Sequence, residues 1–214
     1  MPNRSGRAYG LTTLCPLQAA SEHDRSTAEL VHEYLSTVPL DERSPMAKVP
    51  NTYLCRFFVL DDVIFEGHPA RLEHLKSKYL VFVAELHGEL EPYLQGMWRN
   101  AEGFVRGLFA HCIGFGEVRD AQSFVTYIEK CQVETTFYFN GSTDESLAEQ
   151  LKALYLKQEL SKFAYANRGK NAVELQSAFQ QFVSRVAPND VAGPTWRPGA
   201  SSPESAVHDP RNPS

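Results

Sequence analysis

The sequence has few of the features that identify common classes of enzyme or secreted protein. It contains no C-x-x-C pair, no phosphate-binding loop, no G-x-G-x-x-G fingerprint and no G-x-S-x-G nucleophile elbow. No grouping of His, Cys, Asp and Glu has zinc-ligand spacing, and no apolar run has the length of a membrane span. The N-terminal stretch MPNRSGRAYG has no apolar core, so a secretory signal is not expected. What remains informative is the pattern of apolar and charged residues.

The charge balance argues against nucleic-acid binding. The chain has 214 residues, 43% of them hydrophobic and 22% charged, with a net charge of −5 and no long run of Lys or Arg. Its four cysteines, Cys15, Cys55, Cys112 and Cys131, all lie in apolar surroundings. We interpret them as buried, reduced thiols of a cytoplasmic protein. A catalytic cysteine would need a neighbouring base, which sequence spacing does not reveal.

The composition predicts one domain with flexible ends. Residues 1–8 are polar and are expected to be disordered, and residues 9–187 are expected to form a single α+β domain. Residues 188–214 are rich in Pro, Ser, Gly and Ala, so they are expected to be a disordered tail. An alternative is that the tail is a docking peptide anchored by Trp196.

Within the domain, segments of strand and helix periodicity alternate. Four strands are predicted over YGLTTLCPL, TYLCRFFVLDD, KYLVFVAEL and VETTFYFNG. Helices are expected to begin near five capping or first-turn residues: Ser26 with Glu29, Pro92, Asp120, Ser142 with Glu145, and Asn171. The order is β-α-β-β-α-β followed by further helices, which is the ferredoxin-like arrangement of an antiparallel sheet with helices on one face.

The second and third predicted strands, residues 53–60 and 79–86, are apolar on both faces. One face of each packs under the helices, so the other also needs a cover. In element order and double-sided strands, residues 9 to about 169 resemble the dimeric α+β-barrel superfamily, in which two such sheets close around a cavity. The resemblance implies a homodimer formed through the sheet face. Its members include small monooxygenases, stress-responsive barrel proteins, chlorite dismutases and dye-decolourising peroxidases.

Three functions are compatible with this pattern. The first is binding of a small-molecule ligand inside the barrel. The second is a haem-dependent or cofactor-independent oxidoreductase on the same fold. The third is a non-catalytic interaction protein, which predicts a flat, covered sheet with its buried charges in ion pairs. No residue is assigned a catalytic role from the sequence.

Arg56 is the strongest pointer to a ligand site because it interrupts an otherwise apolar strand. A buried guanidinium needs a partner. The partner could be a carboxylate, Glu85 or Glu134, or an anionic ligand gripped bidentately; an edge position reaching solvent is a further alternative. Tyr138 shares the face of Glu134 in the predicted fourth strand. The candidate ligand-binding residues are therefore Arg56, Glu85, Glu134 and Tyr138.

His111 is the only candidate metal ligand. It borders the apolar face of the helix that begins near Pro92. In some members of the superfamily that the chain resembles, a His on a helix holds the haem iron. An ordinary boundary histidine is the alternative. Haem is thus a possible cofactor, and none is otherwise indicated.

Overall fold

The computed structural model describes residues 3–19, 25–63, 67–68 and 74–200. Its contacts divide the chain into two compact units, Met1–Asp144 and Glu145–Ser214. This division differs from the single domain that the sequence predicted over residues 9–187.

The first unit contains a four-stranded antiparallel sheet, which confirms the predicted α+β class. The strands are β1 (Arg4–Ser5), β2 (Ala8–Pro16), β3 (Thr52–Leu60) and β4 (Tyr79–His87). Their order across the sheet is β1-β2-β4-β3. The three long strands are the first three that the sequence predicted.

The predicted fourth strand is wrong, and with it the ferredoxin-like element order. Residues 133–140 form no strand, and Gln132 makes only an isolated bridge to Thr13 of β2. The reason is that pairing continued from this bridge would bring residues 136 and 137 opposite Tyr9 and Ala8, which already pair with β1. Part of the predicted disordered segment, residues 1–8, therefore supplies the fourth strand instead, through a turn in which Gly6 has a φ of 62°.

Three helices belong to the first unit: α1 (Thr27–Ser36), α2 (Leu90–Phe109) and α3 (Ala121–Cys131). Two short 3₁₀ helices, Pro45–Lys48 and Phe115–Glu117, lie between these elements. The predicted periodic face of α2 is buried throughout. No helix within the described ranges is long and apolar enough to cross a membrane.

The core of the first unit is aromatic and lies on one face of the sheet. Phe57 of β3 stacks on Phe82 of β4 with ring centroids 4.5 Å apart. Phe109 of α2 meets both rings edge-on. Such contacts add to the free energy gained from removing large apolar side chains from water.

Of the five predicted helix starts, three are correct in position, at Ser26, Asp120 and Asn171, and α2 begins at Leu90, two residues before Pro92. The start predicted at Ser142 is wrong. Asp120 caps α3 through a reciprocal pair with Ser123, and Ser26 precedes α1, but without the predicted side-chain hydrogen bond. The helix expected at Ser142 begins at Leu147, with Ser146 and Glu149 forming the capping box. The segment before it is held otherwise, since the Asp144 carboxylate accepts the backbone N–H of Arg7.

The second unit is a pair of helices, α4 (Leu147–Ala166) and α5 (Ala172–Val186), joined through Gly169 at a φ of 81°. Lys152 is buried, and its Nζ donates to the carbonyl oxygens of Val186 and Pro194, each at 2.8 Å. Residues 188–200 of the predicted tail are thus held against this unit at Pro194 by a hydrogen bond. Residues 201–214 lie outside the described residues. In α5 the side chains of Phe182 and Val186 are buried, whereas three other apolar side chains are exposed: Val173, Leu175 and Phe179.

Candidate functional site

The sheet of the first unit has a second face on which some apolar side chains are exposed, although Val81 is buried. Alternation along β3 places Leu54, Arg56 and Phe58 there, opposite Glu85, Val83 and Val81 of β4. Leu54 is 57% exposed and Phe58 is 43% exposed. We call this surface the open face.

Arg56 lies on the open face, on the strand at the edge of the sheet, and is itself exposed, which matches the alternative of an edge position reaching solvent. Among the described residues, no carboxylate lies within ion-pair distance of its guanidinium and no group hydrogen bonds to it. The ion pair with Glu85 or Glu134 that was one interpretation of the sequence is therefore not formed. Glu85 is the diagonal neighbour of Arg56 on β4, since Arg56 pairs with Val83.

Glu85 is engaged by Tyr138 instead. The Tyr138 hydroxyl donates to Oε2 of Glu85 at 2.6 Å. Burial and the adjacent carboxylate raise the pKa of Tyr138, so that its phenol stays protonated beyond the usual range. The structure thus brings together two of the four predicted ligand-binding residues.

Gly10 makes this contact possible. It pairs with Glu85 across β2 and β4, and the Tyr138 ring lies directly over it. A Cβ atom at this position would be 2.8 Å from Cε2 of Tyr138. The absence of a side chain at Gly10 therefore lets an irregular segment lay its aromatic ring against the sheet.

A second hydrogen-bonded pair, Tyr53 and His87, lies beside the first. The Tyr53 hydroxyl and Nδ1 of His87 are 2.7 Å apart. Alternation from Glu85 puts His87 on the open face, and a register shift between Thr52 and Leu54 lets Tyr53 reach it. Sequence reasoning missed both residues, since no local signal marks the bulge.

These groups form a polar end to an otherwise apolar surface. The pairs Tyr138–Glu85 and Tyr53–His87 contain two phenols, a carboxylate and an imidazole. Arg56 supplies a guanidinium farther along β3. Together they offer hydrogen-bond donors, an acceptor and a cation to a molecule lying on the sheet.

The other two predicted site residues lie elsewhere. Glu134 is exposed, in the irregular segment after α3. His111 is half-buried but is not on a helix, because α2 ends at Phe109, and its carbonyl accepts the backbone N–H of Gln18. No three His, Cys, Asp or Glu side chains of the described residues are grouped to hold a metal ion. A haem iron can be held by one protein side chain, which does not require such a group of three. Haem binding by His111 therefore stays a prediction.

A comparison with protein-family models found no match to this chain. Comparisons with curated proteins and with solved structures found no significant similarity. The functional argument therefore depends on the geometry of the site.

Proposed function

We propose that the protein binds a small organic anion with an apolar body on the open face of the sheet. The observation that carries the proposal is Arg56, a guanidinium without a partner among the described residues, flanked by exposed Leu54 and Phe58. Guanidinium groups bind carboxylates and related oxyanions bidentately. Leucine and phenylalanine side chains on either side would contact the apolar part of such a molecule.

The two polar pairs would fix the orientation of a ligand bound at Arg56. Glu85 and Tyr138 lie one diagonal step from Arg56, and Tyr53 and His87 lie next to them. A ligand whose anionic group meets Arg56 would present hydroxyl or amino groups to this end. The interaction-protein hypothesis predicted Arg56 in an ion pair, so the lack of one within the described part of the chain supports ligand binding over that alternative.

We further propose that a second copy of the chain covers the open face. Exposed apolar side chains on and beside the sheet support this part of the proposal: Leu14, Leu54, Phe58, Phe137 and Phe139. Phe137 and Phe139 are 81% and 72% exposed.

A cytoplasmic location is expected on the same grounds as before, the prediction of reduced thiols.

The binding test uses 1-anilinonaphthalene-8-sulfonate, an apolar body carrying one sulfonate, titrated into the full chain and followed by fluorescence. Loss of charge-assisted hydrogen bonds should weaken binding to Arg56→Gln by roughly 10-fold or more. Arg99→Gln, an exposed arginine of α2, is the matched control and should bind as the wild type does. The uncharged analogue N-phenyl-1-naphthylamine should bind wild-type protein and Arg56→Gln equally. Equal affinity of both arginine variants for the sulfonate would overturn the proposal.

The dimer is tested separately by sedimentation equilibrium. We expect Phe58→Glu to shift a wild-type dimer toward monomer, because the change places a charge in the covered interface. Glu91→Gln, at an exposed position of α2, serves as the control and should leave the dimer intact. A wild-type monomer at high concentration would remove the second copy from the proposal and leave the ligand test unaffected.

A further inference from the structure

The second unit contains a cavity of its own, lined by α4 and by the segment that follows α5. Its volume is about 390 Å³, which lies within the range of roughly 300–1,000 Å³ found for small-molecule sites. Leu151, Leu154 and Gln158 line it from α4, and Trp196 and Arg197 line it from the later segment. All of its lining residues belong to the second unit, so this cavity is distinct from the open face.

The segment that carries Trp196 is fastened on both sides of the indole. Before it, the carbonyl oxygen of Pro194 accepts a hydrogen bond from Nζ of buried Lys152 at 2.8 Å. After it, the backbone N–H of Ala200 donates to the carbonyl oxygen of Arg197 at 3.1 Å and closes a turn. The wall of the cavity is therefore held in place by contacts of the unit itself.

The cavity has an apolar part. Leu151, Leu154 and Gln158 recur at three and four residues along α4, so they share one face of the helix. Leu154 is 56% exposed, and Trp196 is half-buried. One interpretation of the sequence was that Trp196 anchors a docking peptide. In the structure the indole lines a cavity of its own unit, where a flat ring can pack against it.

The cavity also has two cations and no acid. Lys157 of α4 and Arg197 line it, and no Asp or Glu is among its lining residues. Neither side chain forms an ion pair or a hydrogen bond with another described residue. Glu159, the nearest acid along α4, is engaged by Lys162 and Arg185 at 2.8 and 2.7 Å. The lining therefore has a formal charge of two positive units that a dianion would match.

We propose that this cavity binds a small aromatic phosphate monoester. The ring packs against Trp196 and the two leucines of α4, and the phosphate accepts hydrogen bonds from Lys157 and Arg197. A phosphate monoester carries a charge of about −1.5 to −2 near neutral pH and three acceptor oxygens. A carboxylate would neutralise only one of the two cations. Arginine meets phosphate oxygens with two parallel N–H groups, and lysine adds a point charge.

The test uses the two tryptophans of the chain as reporters, one in each unit. 1-Naphthyl phosphate is titrated into the full-length protein, and the two indole N–H signals, assigned with Trp196→Phe, are followed by ¹H–¹⁵N NMR. We expect the Trp196 signal to shift and the signal of Trp98, which is buried in the first unit, to stay in place. Lys157→Gln and Arg197→Gln should each weaken binding by roughly 5-fold or more, because each removes charge-assisted hydrogen bonds. Lys170→Gln, at an exposed position after α4, is the control and should bind as the wild type does.

Two related compounds separate the contributions of charge and ring. Uncharged 1-naphthol and monoanionic 1-naphthoate should each bind more weakly than 1-naphthyl phosphate by roughly 5-fold or more. Arg56→Gln should leave the titration of the Trp196 signal unchanged, so a failure of ligand binding on the open face would not affect this result. An unmoved Trp196 signal, wild-type affinity in either cation variant, equal binding of the three compounds, or weaker binding in Arg56→Gln would each overturn the proposal.

Discussion

The two faces of the sheet are built from similar residues but are used differently. Phe57 and Phe58 are adjacent in β3, yet Phe57 packs on Phe82 in the aromatic core and Phe58 is 43% exposed. On the helix-covered face, Leu11, Phe82 and Leu86 are fully buried. On the open face, Leu54 and Arg56 are exposed.

The covered face therefore contributes to stability, whereas the open face is available for binding. The covered face gains its free energy from complete burial, and the open face leaves apolar area and one guanidinium available to a partner. Apolar residues on both faces of a strand therefore indicate two kinds of surface. The same substitution made once on each face distinguishes the two kinds of surface.

The largest effect is expected from truncating the covered face. Phe82→Ala should lower the free energy of unfolding by about 3–5 kcal/mol, since it leaves a cavity among buried aromatic rings. Phe58→Ala, the same change on the open face, should cost less than about 1 kcal/mol because much of the ring is exposed. Urea denaturation followed by circular dichroism measures both. The small cost of Phe58→Ala is expected in dilute, monomeric protein, where equal costs would contradict the exposure of Phe58. In concentrated protein the proposed dimer should raise the cost of Phe58→Ala, so the pair is measured at both concentrations.

A change at Gly10 should have an intermediate effect. Gly10→Ala places a Cβ 2.8 Å from the Tyr138 ring, so the ring must move off the sheet or strain the strand, at a cost of about 1–3 kcal/mol. Gly103→Ala is the control: no atom lies within 4 Å of a Cβ there, and alanine favours the helix by about 0.5–1 kcal/mol. Unfolding free energies report the cost, and ultraviolet titration of the phenols reports whether Tyr138 has left Glu85. A neutral Gly10→Ala would show that the ring does not rest on the sheet.

The smallest effect is expected at the hydrogen-bonded pair of the open face. A double-mutant cycle of Glu85→Gln and Tyr138→Phe should give a coupling of about 0.5–1.5 kcal/mol, in line with a single partly exposed hydrogen bond. The same cycle between Glu85→Gln and Tyr165→Phe, an exposed tyrosine of the second unit, should give none. A coupling of zero in the first cycle would show that the hydrogen bond between Tyr138 and Glu85 does not contribute to stability.

The pH dependence of this pair has a definite sign. The pKa of Tyr138 is raised above its ordinary value of 10.0 in the folded chain, so folding favours the protonated phenol. This contribution is complete below pH 10.0 and is lost as pH rises toward the folded-state pKa. Between these values the wild type should lose stability with pH faster than Tyr138→Phe. Parallel curves for the two proteins would contradict the raised pKa.

Local patterns predicted those elements whose residues bury a regular face. The three long strands, the buried face of α2 and the cap of α3 at Asp120 follow from alternation, helical spacing and capping chemistry, which act over a few residues. Arg56 and Glu85 could be placed on one surface for the same reason. The partner of Glu85 could not be identified, because Tyr138 reaches it from an irregular segment across Gly10.

The sequence by itself determined the α+β class, the strand and helix periodicities and the chemistry of the candidate site. Tertiary structure alone decided which segment took the edge of β2, because β1 and residues 133–140 compete for the same backbone groups. It also decided that Tyr53 meets His87. This contact depends on one bulge, whose formation reflects packing across the first unit rather than the preference of any short stretch.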